Sequence, residues 1–359
     1  MSNAITKSLV RLSDLPATPL EWLWPGRLPL GKLVLLDGDP ERGKSLLALD
    51  WAARLTTGRP WPDGTEIARP ESVVVLSAED DPSDTVKQRL AAAGADLSRI
   101  HMLSVGPDAY GGHRALQFPE EASLLRESLQ ETCARLVIAD PLVAFLGGGA
   151  GLNGPQIRRA LTPLANIAQQ AHATLAMARH LNKKDDRQTA LYRGSGSIQV
   201  IACARVGLLA GCHPQDPDLR LLACFKNNLA ERPPTLSYRI RRDQAGWPII
   251  DWEGAVPISA DEIVLTTGER YGASVARAVE FLRETLAGNP RPRQEVCQLA
   301  QDEGLSPITL RRARAKLHVV YNQVWQDGRN VWYWRLPAAP TVEEEHAEFL
   351  ASIIRKGSS

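Results

Sequence analysis

Eight residues near the start of the chain, Gly38-Asp39-Pro40-Glu41-Arg42-Gly43-Lys44-Ser45, have the types and spacing needed to hold a chain of phosphates. Gly38 and Gly43 let the backbone curl so that successive N–H groups point at phosphate oxygens. A helix beginning near Lys44 adds the positive end of its dipole, with the N–H of Leu46 in its first turn. Lys44 supplies a cation for β- and γ-phosphates, and the Ser45 hydroxyl suits Mg²⁺. The apolar run Leu33-Val34-Leu35-Leu36 precedes the loop and Leu46-Leu47-Ala48-Leu49 follows it. That strand–loop–helix context separates a phosphate loop from a chance glycine turn.

Phosphoryl chemistry needs carboxylates as well. Arg135-Leu136-Val137-Ile138-Ala139-Asp140 reads as a buried strand ending in an acid, placing Asp140 where a second Mg²⁺ contact belongs. The next residue is Pro141, so a base that activates water has to come from elsewhere. Val73-Val74-Val75-Leu76-Ser77-Ala78-Glu79 offers Glu79, provided its strand lies beside the phosphate-loop strand. Asp80 and Asp81 are rivals, although Asp81-Pro82 has the form of an N-cap followed by proline at N1. Thr174-Leu175-Ala176-Met177-Ala178 ends at Arg179-His180, putting His180 in range of a γ-phosphate or, equally, in a solvated loop.

The elements that must position these groups alternate along the chain. Strands are expected at 33–37, 72–77, 135–139, 174–178, 203–210, 219–225 and 235–240, with helices at 44–57, 82–94, 120–132 and 155–171. Alternation of this kind implies an α/β fold with a mostly parallel sheet covered on both faces. The last three strands follow one another through short turns and imply an antiparallel extension. The expected domains are an N-terminal arm over 1–27, an ATPase domain over 28–255, a linker over 256–273, a small domain over 274–337 and a tail over 338–359.

Taken together, Gly38–Ser45, Glu79, Asp140 without a following Glu, and His180 resemble the RecA-type ATPases, over about residues 20–245. Within them the chain is most similar to the RepA-like hexameric replicative helicases and related AAA family ATPases of plasmids, phages and integrated elements. Val75-Leu76-Ser77-Ala78-Glu79-Asp80, the following Val86-Lys87-Gln88-Arg89-Leu90, and Arg193-Gly194-Ser195-Gly196-Ser197 carry that likeness. The last also resembles the DnaB-type segment. The resemblance implies a RecA-like P-loop core with ATP and Mg²⁺ as cofactors. It makes Lys44 and Ser45 nucleotide ligands, Glu79 the catalytic glutamate, Asp140 the Mg²⁺ carboxylate and His180 the γ-phosphate sensor. It also implies a homo-oligomeric ring, a hexamer, whose neighbours insert basic residues into each site. Arg205, Lys226 and Arg193 are the candidates; Arg205 stands in an apolar run, where a buried lone arginine would be expensive. Lys226-Asn227-Asn228 lacks the second lysine of the family's segment. Glu41 stands where many relatives have glycine and fits if its φ is negative. The glycine-rich stretch 147–154 and the charged Lys183-Lys184-Asp185-Asp186-Arg187 match the family's DNA-binding loops. The first has no aromatic residue, so phosphate contacts from Lys183 and Lys184 would dominate.

The C-terminal stretch reads as helix, helix, helix, hairpin, with an Asp327-Gly328 turn signal. Leu310, Ala313 and Leu317 fall on one face of the third helix, and Thr309, Arg311, Arg312 and Lys316 fall largely on the other. The pattern is that of a winged helix-turn-helix, with Arg311, Arg312 and Lys316 for a major groove and Arg329 for phosphates. Over 269–336 there are eleven basic residues against seven acidic ones. A protein–protein adaptor uses the same fold.

Bulk composition narrows the remaining classes. A net charge of +1 over 359 residues excludes a global field for nucleic acid or membrane, so any basic patch is local. Five cysteines without C-x-x-C spacing fit free thiols, and Cys212-His213 lacks a second pair of metal ligands. No signal peptide and no run of 18 uncharged apolar residues is present, so a cytoplasmic, membrane-free location is expected. The reading that results is an ATP-hydrolysing motor on single-stranded DNA in replication of a mobile element. Its rivals are an ATPase switch acting as loader, defence or partition factor, and an ATP-regulated DNA-binding regulator.

Overall fold

The structure, a computed structural model, describes residues 9–106, 113–147, 154–180, 198–216, 218–326 and 329–337. For 198, 265–275, 308, 312, 326 and 329 it describes the backbone alone. The chain forms two compact units, 1–266 and 267–359.

The first unit is built on a nine-stranded sheet. Its strands are β3 (Leu33–Gly38), β4 (Val73–Ser77), β5 (Ile100–Met102), β6 (Leu136–Asp140), β7 (Thr174–His180), β8 (Val206–Cys212), β9 (Arg220–Asn227), β10 (Thr235–Arg242) and β11 (Pro248–Val256). A small hairpin, β1 (Trp22–Trp24) and β2 (Leu28–Pro29), precedes them. The order across the sheet is β11-β10-β9-β8-β3-β7-β6-β4-β5. Pairing is parallel from β8 through β5 and antiparallel from β8 to β11.

Apolar runs become central strands here because both faces of the sheet are covered. Leu33 and Leu35 enter one core while Val34 and Leu36 enter the other. The first core is closed by α3 (Ala122–Thr132), α4 (Gly154–Gln170) and α5 (Ile198–Cys203). The second is closed by α1 (Lys44–Thr57) and α2 (Lys87–Ala92), with Trp24, Trp51 and Trp61 packed among them.

Several expectations are corrected. Two strands, β7 and β6, separate β4 from β3, so the condition that it lie beside β3 is not met. The 203–210 strand is divided: α5 runs to Cys203 and β8 starts at Val206. The stretch taken as a linker enters helix α6 (Ala260–Leu286) at Ala260. Its start is a capping box: the Ser259 N–H and hydroxyl bond the Glu262 carboxylate at 2.7 and 2.6 Å, and the Glu262 N–H returns to Ser259 Oγ at 3.2 Å. Within the expected arm over 1–27, Trp24 is buried in the core of the first unit.

The second unit holds the later part of α6, α7 (Arg293–Asp302), α8 (Pro307–Lys316) and a three-stranded antiparallel sheet. That sheet has the order β12 (Arg291–Pro292), β14 (Arg329–Arg335), β13 (Val320–Gln326). Ser306 caps α8 by accepting from the Thr309 N–H at 3.2 Å. Thr309 itself is buried, not on the polar face where the helical period put it. Ala278, Leu282, Val296, Ala313 and Trp334 form the unit's own core. Among the described residues no helix is long and apolar enough to cross a membrane.

Candidate nucleotide site

The carboxyl ends of β3, β4, β6 and β7 converge on a cavity of about 180 Å³ lined by Glu41, Gly43, Lys44, Ser45, Leu46, Glu79, Arg89, Asp140, His180 and Pro248. This volume lies below the roughly 300–1,000 Å³ of sites that enclose a drug-sized ligand. It suits a phosphate chain, with the rest of a nucleotide outside. A cavity of about 720 Å³ between residues 18–32 and the end of α4 is larger, but its wall is mainly amide and apolar. The chemistry converges on the smaller one.

The loop is shaped by backbone constraints. Gly43 sits at φ +83°, and a Cβ there would meet Ile240 Cδ1 at 2.9 Å. The β10 strand supports the loop from above: the buried Tyr238 hydroxyl donates to the Arg42 carbonyl at 2.7 Å. Glu41 has φ +65°, so the condition of a negative φ is not met. A non-glycine residue there costs roughly 1–2 kcal/mol.

Lys44, the first residue of α1, is buried. Its ammonium donates to the carbonyls of Gly38 and Asp39, both at 2.9 Å, and lies 3.1 Å from His180 Nδ1. The facing ammonium makes His180 Nδ1 the acceptor, so the ring proton belongs on Nε2. Burial, and then the charge of Lys44, hold His180 below its ordinary value. Burial also lowers Lys44, while Asp140 and Asp39 oppose that shift. A phosphate oxygen can outcompete the two neutral carbonyls, since charge-assisted bonds are about twice as strong.

Burial pushes the Asp140 carboxyl up, and the Ser45 hydroxyl and Lys44 ammonium beside it pull it back. A hydroxyl and one carboxylate beside a phosphate pocket are hard oxygen donors that fit Mg²⁺, which keeps several waters and takes substrate phosphates as ligands.

The three candidate acids separate by their partners. Asp81 accepts from the N–H groups of Ser83 and Asp84 as a helix cap. Asp80 is bonded by Arg89 at 2.6 Å. Glu79 is exposed on the cavity wall, uncommitted among the described residues. It reaches the cavity although β4 is not next to β3, because β7, β6 and β4 all end at the same edge. Arg89 is a wall residue that its strand-to-helix position alone did not single out as chemical.

Beneath the site lies an ion pair that the sequence reading missed. Asp37 and Arg179 are register partners on β3 and β7, one residue before Gly38 and His180. Arg179 Nε and Nη2 reach the two Asp37 oxygens at 2.8 and 2.6 Å, and both side chains are buried. Burial pushes the Asp37 carboxyl up, and the guanidinium pulls it back. Alternate charges inside adjoining apolar strands were the available signal.

Arg205 and Lys226 lie elsewhere. Arg205 is exposed just before β8, so the cost of a buried lone arginine does not arise. Lys226 faces Gly207 in the β8–β9 ladder, and its ammonium bonds the carbonyls of Ile201 and Ala204 at 2.6 and 2.7 Å. Both residues stand at the amino end of β3 and β8, one strand length from Lys44. Arg193, Lys183 and Lys184 lie outside the described residues. Arg311 and Lys316 are exposed on α8; the side chains of Arg312 and Arg329 lie outside the described ones.

A family model described as an AAA domain matches residues 3–186. The match spans the phosphate loop, Glu79, Asp140 and His180, and ends before β8. No curated protein matches the chain.

Proposed function

Because the chain belongs to the AAA domain family, which carries nucleotide binding and ATPase activity in general, we propose that it is a ring-forming motor that couples ATP hydrolysis to movement on DNA. In this reading Gly38–Leu46 cradle the triphosphate, and Ser45 with Asp140 hold Mg²⁺, whose charge would offset that of the phosphates. Glu79 orients and deprotonates the attacking water, and His180 senses the γ-phosphate. The reading makes the ring a hexamer and its work replication of a mobile element, as the RepA-like resemblance implies.

The observation that carries it is the division of charge between the two ends of the sheet. Lys44, Asp140, Glu79 and His180 gather at one end, while Arg205 and Lys226 sit together at the other. A strand of six residues spans roughly 20 Å. These cations cannot reach their own subunit's phosphates, so a role in hydrolysis requires a neighbour's site. Lys226 would first release the Ile201 and Ala204 carbonyls, which makes Arg205 the better candidate.

The second unit supplies DNA contacts in this reading. Three helices and a three-stranded sheet of order β12-β14-β13 support reading it as a winged helix, which would turn Arg311, Arg312, Lys316 and Arg329 toward phosphates. The test is strand displacement on a forked duplex, with Lys44→Ala as control, together with mixing of Arg205→Ala and Glu79→Gln subunits. The motor reading predicts unwinding by the wild type and partial ATPase rescue in the mixture. ATP turnover independent of protein concentration, with a monomer under ATP, would refute the shared site. DNA-stimulated turnover without unwinding would leave an ATPase switch.

A further inference from the structure

The hairpin of the second unit carries an aromatic face that its core does not use. Tyr321, Gln323 and Trp325 of β13 pair directly with Trp334, Trp332 and Asn330 of β14, so all six side chains share one face. Trp334, at the base, is buried and belongs to the unit's core. Beyond it Tyr321 is 60% exposed, Trp332 42% and Trp325 69%. Among the described residues these three are the exposed large aromatic side chains of the chain. Tyr321 and Trp332 already meet edge to face, with ring centroids 6.1 Å apart.

Cations border that face. The Arg314 guanidinium of α8 lies 5.3 Å from the Trp334 ring centroid, which puts the helix on the same side as the aromatic row. From Leu305 to Lys316 the α8 segment holds four basic residues, Arg311, Arg312, Arg314 and Lys316, and no acid. A protein partner with an apolar surface would match the rings but gain nothing from this charge. Unpaired bases on a phosphate backbone match both, because every base has a π face to stack and every linkage an anion.

We infer that the Tyr321–Trp325–Trp332 face is a stacking platform for unpaired nucleotides of single-stranded nucleic acid, with the α8 cations tracking the backbone. The inference rests on the DNA reading above and deepens it: it makes the hairpin a reader of bases, where a winged helix on duplex DNA would use it for phosphates.

Two measurements on the full chain test it. In the first, wild-type protein binds an oligothymidylate and an abasic strand of the same length and phosphate count. Stacking predicts at least about tenfold weaker binding to the abasic strand, from the loss of one base–aromatic stack or more. Equal affinity would overturn it, and this comparison needs no variant to fold. In the second, Trp325→Ala and Trp332→Ala are each expected to lose about tenfold in oligothymidylate affinity with an unchanged salt slope. Lys316→Ala is expected to flatten the salt slope instead, by about one unit if it contacts a phosphate. Affinity and salt slope unchanged in both tryptophan variants, while the salt-dependent binding persists, would remove the platform and leave the DNA reading standing. No binding to either strand at low salt would remove both. A concentration-dependent dimer abolished by Trp325→Ala would make the face a contact between copies and overturn the inference.

Discussion

The tryptophans of the first unit's core and the two on the outer hairpin of the second are used in opposite ways. In the first, Trp24, Trp51 and Trp61 are buried. Trp24 and Trp61 stack at 4.9 Å and 3°, and their indole N–H groups reach Asp63 and the Leu23 carbonyl, both at 2.7 Å. Arg27 covers Trp24 and pairs with Asp63 at 2.9 Å. In the second unit Trp325 and Trp332 stand on a hairpin with their rings in water. Composition is blind to that difference. A ring with a matched N–H inside a double layer stabilises the fold. A ring on a two-sided hairpin whose helices cover only its base is left for something else.

Substitution at matched residues would sharpen the contrast. Trp61→Ala should destabilise the first unit by about 3–5 kcal/mol, as large-to-small core changes do. Trp325→Ala should stay within about 0.5 kcal/mol, the usual range for surface sites. Urea titration of both variants measures this, and a comparable loss in both would end the distinction.

The buried charges of the first unit differ from the exposed ones of the second in the same sense. Arg179→Ala leaves Asp37 buried without its partner and should cost about 3–5 kcal/mol. Asp37→Leu combined with Arg179→Met should recover most of that loss, since apolar replacement of a buried pair is often neutral. Arg311→Ala in the second unit should leave stability unchanged. Equal effects of Arg179→Ala and Arg311→Ala in chemical denaturation would show that burial is not the deciding variable.

At the site itself, Lys44→Ala should lower ATP turnover by about 10²–10³-fold, the range for losing one preorganised electrostatic contact. The variant's melting curve checks that the unit remains folded. Turnover like that of the wild type would sink the assignment of the phosphate loop.

A smaller effect is expected from His180. Its pKa is lowered in the folded chain, so the folded state disfavours the proton. The stabilising contribution is complete above the ordinary histidine value of 6.5 and is lost as pH falls through the folded value. His180→Asn should therefore flatten the acid-side slope of unfolding free energy against pH. An unchanged slope would show that the titration of His180 is not linked to folding.

The smallest effect concerns Glu41. With φ at +65°, Glu41→Gly should raise stability by about 1 kcal/mol, visible as a shift in the denaturant midpoint. Loss of stability would mean that the carboxylate does more than occupy a strained position.

Much of the first unit was legible because its signals are local. Four apolar runs, each ending in a polar residue, identified β3, β4, β6 and β7, and the glycine spacing identified the loop. β5 and β11 escaped because three residues of mixed polarity, and a strand opening on Pro248 with half-buried side chains, carry no clear period. The start of α6 was readable from Ser259 and Glu262, but the following polar residues masked it.

By itself the sequence determined which residues could do phosphate chemistry, that Asp140 and His180 end strands and that Glu79 closely follows one, since loop spacing and apolar runs are properties of neighbours in the chain. Strand order is a long-range property. Only the tertiary structure decided that β7 and β6 stand between β3 and β4, and that Asp80 is taken by Arg89 while Glu79 is left open. It alone joined Asp37 to Arg179 across 142 residues. Arg205 was turned outward by the same kind of decision, and three aromatic rings of the second unit were left uncovered. Burial and pairing depend on which distant segments pack together, and no local pattern encodes that choice.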